Sequence, residues 1–66
     1  MNIILNGTPL EVEGIPNIEL LLKAKNYDGK LVAVAMNGSF IPKEKYQKTN
    51  LTNGDIIEIV APMQGG

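Results

Sequence analysis

The sequence predicts an α+β domain in which a mixed sheet of about five strands packs on one main helix. Three observations predict it. Asn-Gly occurs at Asn6-Gly7, Asn37-Gly38 and Asn53-Gly54, and because Asn and Gly tolerate positive φ, this dipeptide between apolar segments marks tight turns between strands. Leu10-Glu11-Val12-Glu13 alternates apolar with acidic residues, and Ile57 and Ile59 alternate with Ile56, Glu58 and Val60, both at the two-residue period of a strand. Ile18, Leu21 and Leu22 fall at i, i+3 and i+4, which makes one helical stripe.

The elements follow in order. Asn2 to Leu5 and Thr8 to Glu13 flank the first Asn-Gly as an N-terminal hairpin, with Ile3, Leu5, Leu10 and Val12 facing inward and Ile4 outward. Gly14 and Pro16 end the strand pattern. Asn17 is placed to cap a helix from Ile18 to about Lys25, with Asp28-Gly29 as its stop signal. Leu31 to Met36 is a continuous apolar run, suited to a central strand covered on part of both faces. The second Asn-Gly turns it into Ser39-Phe40-Ile41, which stops at Pro42. Lys43 to Leu51 is polar and fits a short helical turn; Asn53-Gly54 then launches Asp55 to Val60.

One helix covers only one face of such a sheet, so the predicted arrangement is the β-grasp, or ubiquitin-like, fold over residues 1–60. A ferredoxin-like alternative would need a second helix, and Lys43 to Leu51 is too polar to pack as one. Residues 61–66 form a flexible C-terminal tail in this reading.

Composition narrows the function. With 66 residues, the chain buries only about 60% of its unfolded surface, too little for both a deep active-site pocket and a sound core. Cys and His are absent, which removes thiolate and imidazole chemistry and the usual zinc sites. Six Lys, no Arg and seven acidic residues leave a net charge of −1, no footprint for nucleic acid. The longest apolar run, Leu31 to Met36, is far short of the roughly 20 residues that span a bilayer, and the N-terminal residues lack the basic region and cleavage site of a signal peptide. Few catalytic tools remain, and the expectation is a cytoplasmic protein, monomeric when free, binding neither metal nor cofactor, nucleic acid nor membrane.

Two surfaces remain for function. Strand alternation sends Ile4, Ala33, Ala35, Ile56 and Val60 to the sheet face opposite the helix, an apolar surface suited to docking a larger protein, with the two small alanines allowing close approach. The second is Ala61-Pro62-Met63-Gln64-Gly65-Gly66. Pro62 ends strand pairing, and six extended residues reach roughly 20 Å, enough to enter another protein's active site. Gly65 and Gly66 carry no β-carbon, so the terminal carboxylate passes through a narrow channel unhindered. Met63 and Gln64, bulkier, complete the segment a partner would recognise. A carboxylate is a poor acyl donor until activated, and this chain has no phosphate-cradling loop or base with which to activate it.

The N-terminal Asn-Gly hairpin, the helix Asn17-Ile18-Glu19-Leu20-Leu21-Leu22, Val32 to Gly38 followed by Ile41-Pro42-Lys43, Leu51 to Asp55 followed by Ile56 to Val60, and the terminal Gly65-Gly66 together resemble the ThiS sulfur carriers of thiamine biosynthesis. The resemblance covers essentially the whole chain. It implies that an E1-like adenylyltransferase, ThiF, uses ATP and Mg²⁺ to convert the Gly66 carboxylate to an acyl adenylate. Sulfur from a donor such as a cysteine desulfurase then displaces AMP to give a thiocarboxylate, and thiazole synthase, ThiG, takes that sulfur into the thiazole ring. The resemblance thus implies a protein cosubstrate rather than a catalyst, and no enzyme. The small subunit of molybdopterin synthase resembles it in fold, tail and activation, and a ubiquitin-like modifier would use the same activated glycine to acylate lysines.

Overall fold

The computed structural model describes residues 1–27 and 31–61. Asn6 and Gly7 take φ of 51° and 82°, and Asn37 and Gly38 take 53° and 85°, both central residues left-handed as a type I′ turn demands. The first turn joins β1 (Asn2–Leu5) to β2 (Thr8–Glu11), and the second joins β3 (Ala33–Met36) to β4 (Ser39–Ile41). At the third pair only Gly54 has positive φ, at 90°. The Asp55 N–H bonds back to the Thr52 carbonyl at 3.2 Å, so this is a single β-turn feeding β5 (Ile56–Val60).

Helix α1 (Ile18–Ala24) starts where expected, because Asn17 Oδ1 accepts the Leu20 N–H at 2.9 Å and satisfies a donor the first turn leaves open. It ends sooner than Asp28-Gly29, which lie outside the described residues. Lys25 is the C-cap, and Asn26 turns left-handed at φ 67°, a conformation Asn accepts more readily than other residues with a side chain. Two strands are also shorter than their sequence patterns. β2 stops at Glu11, yet Val12 stays buried, its N–H bonded to the Met1 carbonyl at 2.9 Å. β3 begins at Ala33, and Leu31 is 78% exposed, so the apolar run from Leu31 is not one continuous strand.

The sheet order is β2-β1-β5-β3-β4. β5 lies at the centre, parallel to β1 and antiparallel to β3, and thereby joins two hairpins that are otherwise separate. Ile3, Leu5, Val34, Ile57 and Ile59 project from one face onto Ile18, Leu21 and Leu22 of the helix, and these residues are buried as one core. Leu10, Val32 and Met36 pack on its margin, partly buried.

The segment after β4 makes a single 3₁₀ turn, Lys43–Lys45, and then runs along the start of α1. The Ile18 N–H donates to the Thr49 carbonyl at 3.0 Å and the Leu51 N–H to the Pro16 carbonyl at 2.9 Å. Pinned on both sides of the helix cap, the polar strap inserts Leu51 into the core.

Candidate functional site

The face of the sheet turned away from α1 is built by strand alternation. Burial in β5 reads exposed, buried, exposed, buried, exposed from Ile56 to Val60, and β1 alternates likewise, so Ile4, Ile56 and Val60 share the open face. Cross-strand register extends it. Ile56 lies beside Ile4, Val60 beside Ala33, and Glu58 beside Ala35. The two hairpins then place Pro9 opposite Ile4 and Phe40 opposite Ala35. Phe40 on β4 is 68% exposed, and Val60 and Ile56 on β5 are 63% and 47% exposed, large apolar side chains in water on either side of β3. Ile4 lies at the margin of exposure, Ala33 is exposed and Ala35 half-buried. At the β3–β5 end of the face, Ala33 and Val60 line a shallow, open apolar depression with Leu31 and Val32.

The polar side chains around this face hold β5 in place. Asn6 Oδ1 accepts the Ile59 N–H at 2.8 Å, continuing the β1–β5 ladder with a side-chain oxygen where the turn has carried the main chain away. Asn37 Oδ1 does the same on the other flank, accepting the Ile56 N–H at 2.9 Å. Asn53 Oδ1 accepts the Asn2 N–H at 2.7 Å. Each Asn-Gly pair thus makes its turn and also ties a neighbouring strand.

Asp55 is the buried carboxylate among the described residues. Its oxygens accept from Asn37 Nδ2 at 2.9 Å, from the Thr52 N–H at 2.7 Å and from the Thr52 hydroxyl at 3.1 Å. Burial pushes its pKa up, but the bonds from Asn37 and Thr52 outweigh it and hold the carboxyl below its usual value. With every oxygen engaged by a turn or strand end, Asp55 is a structural anchor. Among the described residues no group of three or more His, Cys, Asp or Glu gathers as a metal site, and no helix is long and apolar enough to cross a membrane.

The structure brings Ile4, Ala33, Ala35, Ile56 and Val60 together on one surface. The other expected site residues, Met63, Gln64, Gly65 and Gly66, lie outside the described residues; Ala61, exposed, follows Val60 off the end of β5. Phe40 and Pro9 belong to the face but escape a strand-by-strand reading. Counting outward from each two-residue turn would have found them, since type I′ geometry fixes which residues stand opposite.

Residues 3–66 match the ThiS family. The fold is similar to the crystal structure of the thiamine biosynthesis protein ThiS from Geobacter metallireducens, with a TM-score of 0.84 and 33% identity over the full length of both chains. The solution structure of a thiamine biosynthesis protein from the same organism agrees, with a TM-score of 0.82 and 33% identity over 100% of this chain and 88% of that one. A thiazole synthase of Paramagnetospirillum magneticum is 33% identical over 66 residues, 100% of this chain but only 20% of that protein's length.

Proposed function

Because the chain belongs to the ThiS family, we propose that it is a sulfur carrier for thiamine biosynthesis, a cosubstrate that bears its cargo on Gly66. The observation that carries this reading is the family match, which runs through the paired glycines to Gly66. In the proposed cycle the Gly66 carboxylate attacks the α-phosphorus of ATP, with Mg²⁺, in the site of an adenylyltransferase of the ThiF kind, and pyrophosphate leaves. The persulfide of a cysteine desulfurase attacks the acyl carbon and displaces AMP to give an acyl disulfide. Two thiols, such as those of free cysteine, then reduce its S–S bond, becoming a disulfide themselves as the donor leaves as its thiol and Gly66 keeps a thiocarboxylate. AMP is a far better leaving group than oxide, which is why activation comes first.

Thiazole synthase is the proposed acceptor. Support comes from the Paramagnetospirillum magneticum thiazole synthase, a fifth of which is similar to this whole chain. The open face serves as the docking surface in this reading. Val60, the last residue of β5, lies on that face, so an enzyme that grips it meets the chain where it leaves the sheet towards Gly66.

Incubation with the adenylyltransferase, ATP, Mg²⁺, a cysteine desulfurase and cysteine should raise the intact mass by the difference between sulfur and oxygen, confined to the C-terminal peptide. Oxidation of Met1, Met36 or Met63 adds nearly the same mass, and alkylation separates the two, because a thiocarboxylate is nucleophilic at neutral pH and a sulfoxide is not. A shift that persists without ATP, or a product inert to alkylation, rejects the carrier reading. Gly66 linked instead to lysines of other proteins would mark a modifier.

A further inference from the structure

We propose that Asn6-Gly7 is a site of spontaneous covalent modification, and that the fold ranks the Asn-Gly pairs in reactivity with Asn6 first, Asn37 second and Asn53 last. The reaction needs only water and hydroxide. The glycine N–H loses its proton, its nitrogen attacks the asparagine Cγ, and a five-membered succinimide forms as ammonia leaves with Nδ2. Water then opens the ring at either carbonyl to give aspartate or isoaspartate. Glycine offers no side chain to hinder the attack, so the three pairs are chemically alike until folding distinguishes them.

Folding does so through the two groups that must react. At Asn53-Gly54 both are held by one residue: the Asn2 N–H donates to Asn53 Oδ1 at 2.7 Å, and the attacking Gly54 N–H is bound to the Asn2 carbonyl at 2.7 Å. At Asn37-Gly38 the glycine N–H has no bond among the described residues, but both ends of the side-chain amide are fixed, Oδ1 by Ile56 N–H and the departing Nδ2 by Asp55, each at 2.9 Å. At Asn6-Gly7 only Oδ1 is held, by Ile59 N–H at 2.8 Å; Nδ2 and the Gly7 N–H have no partner among the described residues. Asn6 and Asn37 have nearly the same φ, 51° and 53°, so side-chain anchoring separates them. Each bond that must break before attack slows the reaction several-fold. Isoaspartate at position 6 lengthens the main chain of a two-residue turn and displaces the acceptor of Ile59 N–H, which loosens β5 beside Val60.

The test is to hold the folded protein in mildly alkaline buffer, cleave after lysine, and follow aspartate and isoaspartate by mass spectrometry. Lys23, Lys30, Lys43 and Lys48 place the three pairs on three separate peptides. A parallel sample in concentrated urea supplies the unfolded rates. The expected result is comparable conversion at the three pairs in urea, and in the folded protein conversion at Asn6 several-fold faster than at Asn37, with Asn53 slowest. Any other order in the folded protein, or the same spread in urea, overturns the proposal.

Discussion

Asn37 Nδ2 donates to Asp55 Oδ1 at 2.9 Å while Asn37 Oδ1 accepts the N–H of Ile56, the residue that follows Asp55. One amide therefore fastens the β3–β4 turn to the start of the central strand. Removing the carboxylate in Asp55→Ala leaves the Asn37 amide and two Thr52 donors without their acceptor. The expected loss of stability is about 2–3 kcal/mol, measured as a lower urea midpoint at neutral pH.

The same anchor carries a pH dependence. Because the folded protein holds the Asp55 carboxyl below its usual value, folding favours the ionised form. That stabilisation is complete above the unfolded pKa of about 3.9 and is lost as pH falls through the lower folded pKa. Asp55→Asn keeps the shape and removes the titrating group, so the stability gap between parent and variant should be widest near neutrality and shrink in acid. Urea titrations of both proteins at a series of acid pH values check this; a gap that stays constant or widens contradicts it.

Phe40 exposes 68% of its surface, so Phe40→Ala should change stability by less than about 0.5 kcal/mol. If the open face docks the adenylyltransferase, the same variant should weaken that complex by about 1–3 kcal/mol, read by calorimetry. Ala33→Glu is the companion probe. Ala35→Glu is less clean, because Ala35 stands opposite Glu58 and two carboxylates would repel across the strands even without a partner.

Leu51 is 7% exposed and is held in the core by the strap's bond to Pro16. Leu51→Ala should cost about 2–4 kcal/mol through lost burial and the cavity left behind. A nearly unchanged urea midpoint would mean that the strap is not part of the cooperative core.

Deletion of Gly66, or replacement of Gly65 by Trp, should abolish ATP–pyrophosphate exchange by the adenylyltransferase and leave the urea midpoint where it was, since the core formed by the described residues closes on itself with Ile59 as its last member. Undiminished exchange by the truncated protein would remove Gly66 from the chemistry.

The sequence by itself determined what neighbours along the chain decide. Asn6-Gly7 and Asn37-Gly38 fix two hairpins because positive φ at consecutive residues is cheap for little else, and the turn then dictates the register on either side. Asn17 and the Ile18, Leu21, Leu22 stripe likewise fix the helix and its buried side. The tertiary structure decided how distant pieces meet. β5 lies between the hairpins, parallel to β1, through its pairing with β1 and β3, and Asn6 and Asn37 reach across to its N–H groups, contacts separated by 53 and 19 residues. Leu51 reads as the end of a polar loop, and only the strap's path along the helix start makes it core. Asp55 reads as a strand's first polar residue, and only the turn of Thr52 and the side chain of Asn37 make a buried carboxylate affordable. Local periodicity and turn chemistry act over a few residues, whereas the position of the central strand is set by which partners satisfy its hydrogen bonds once the chain has closed on itself.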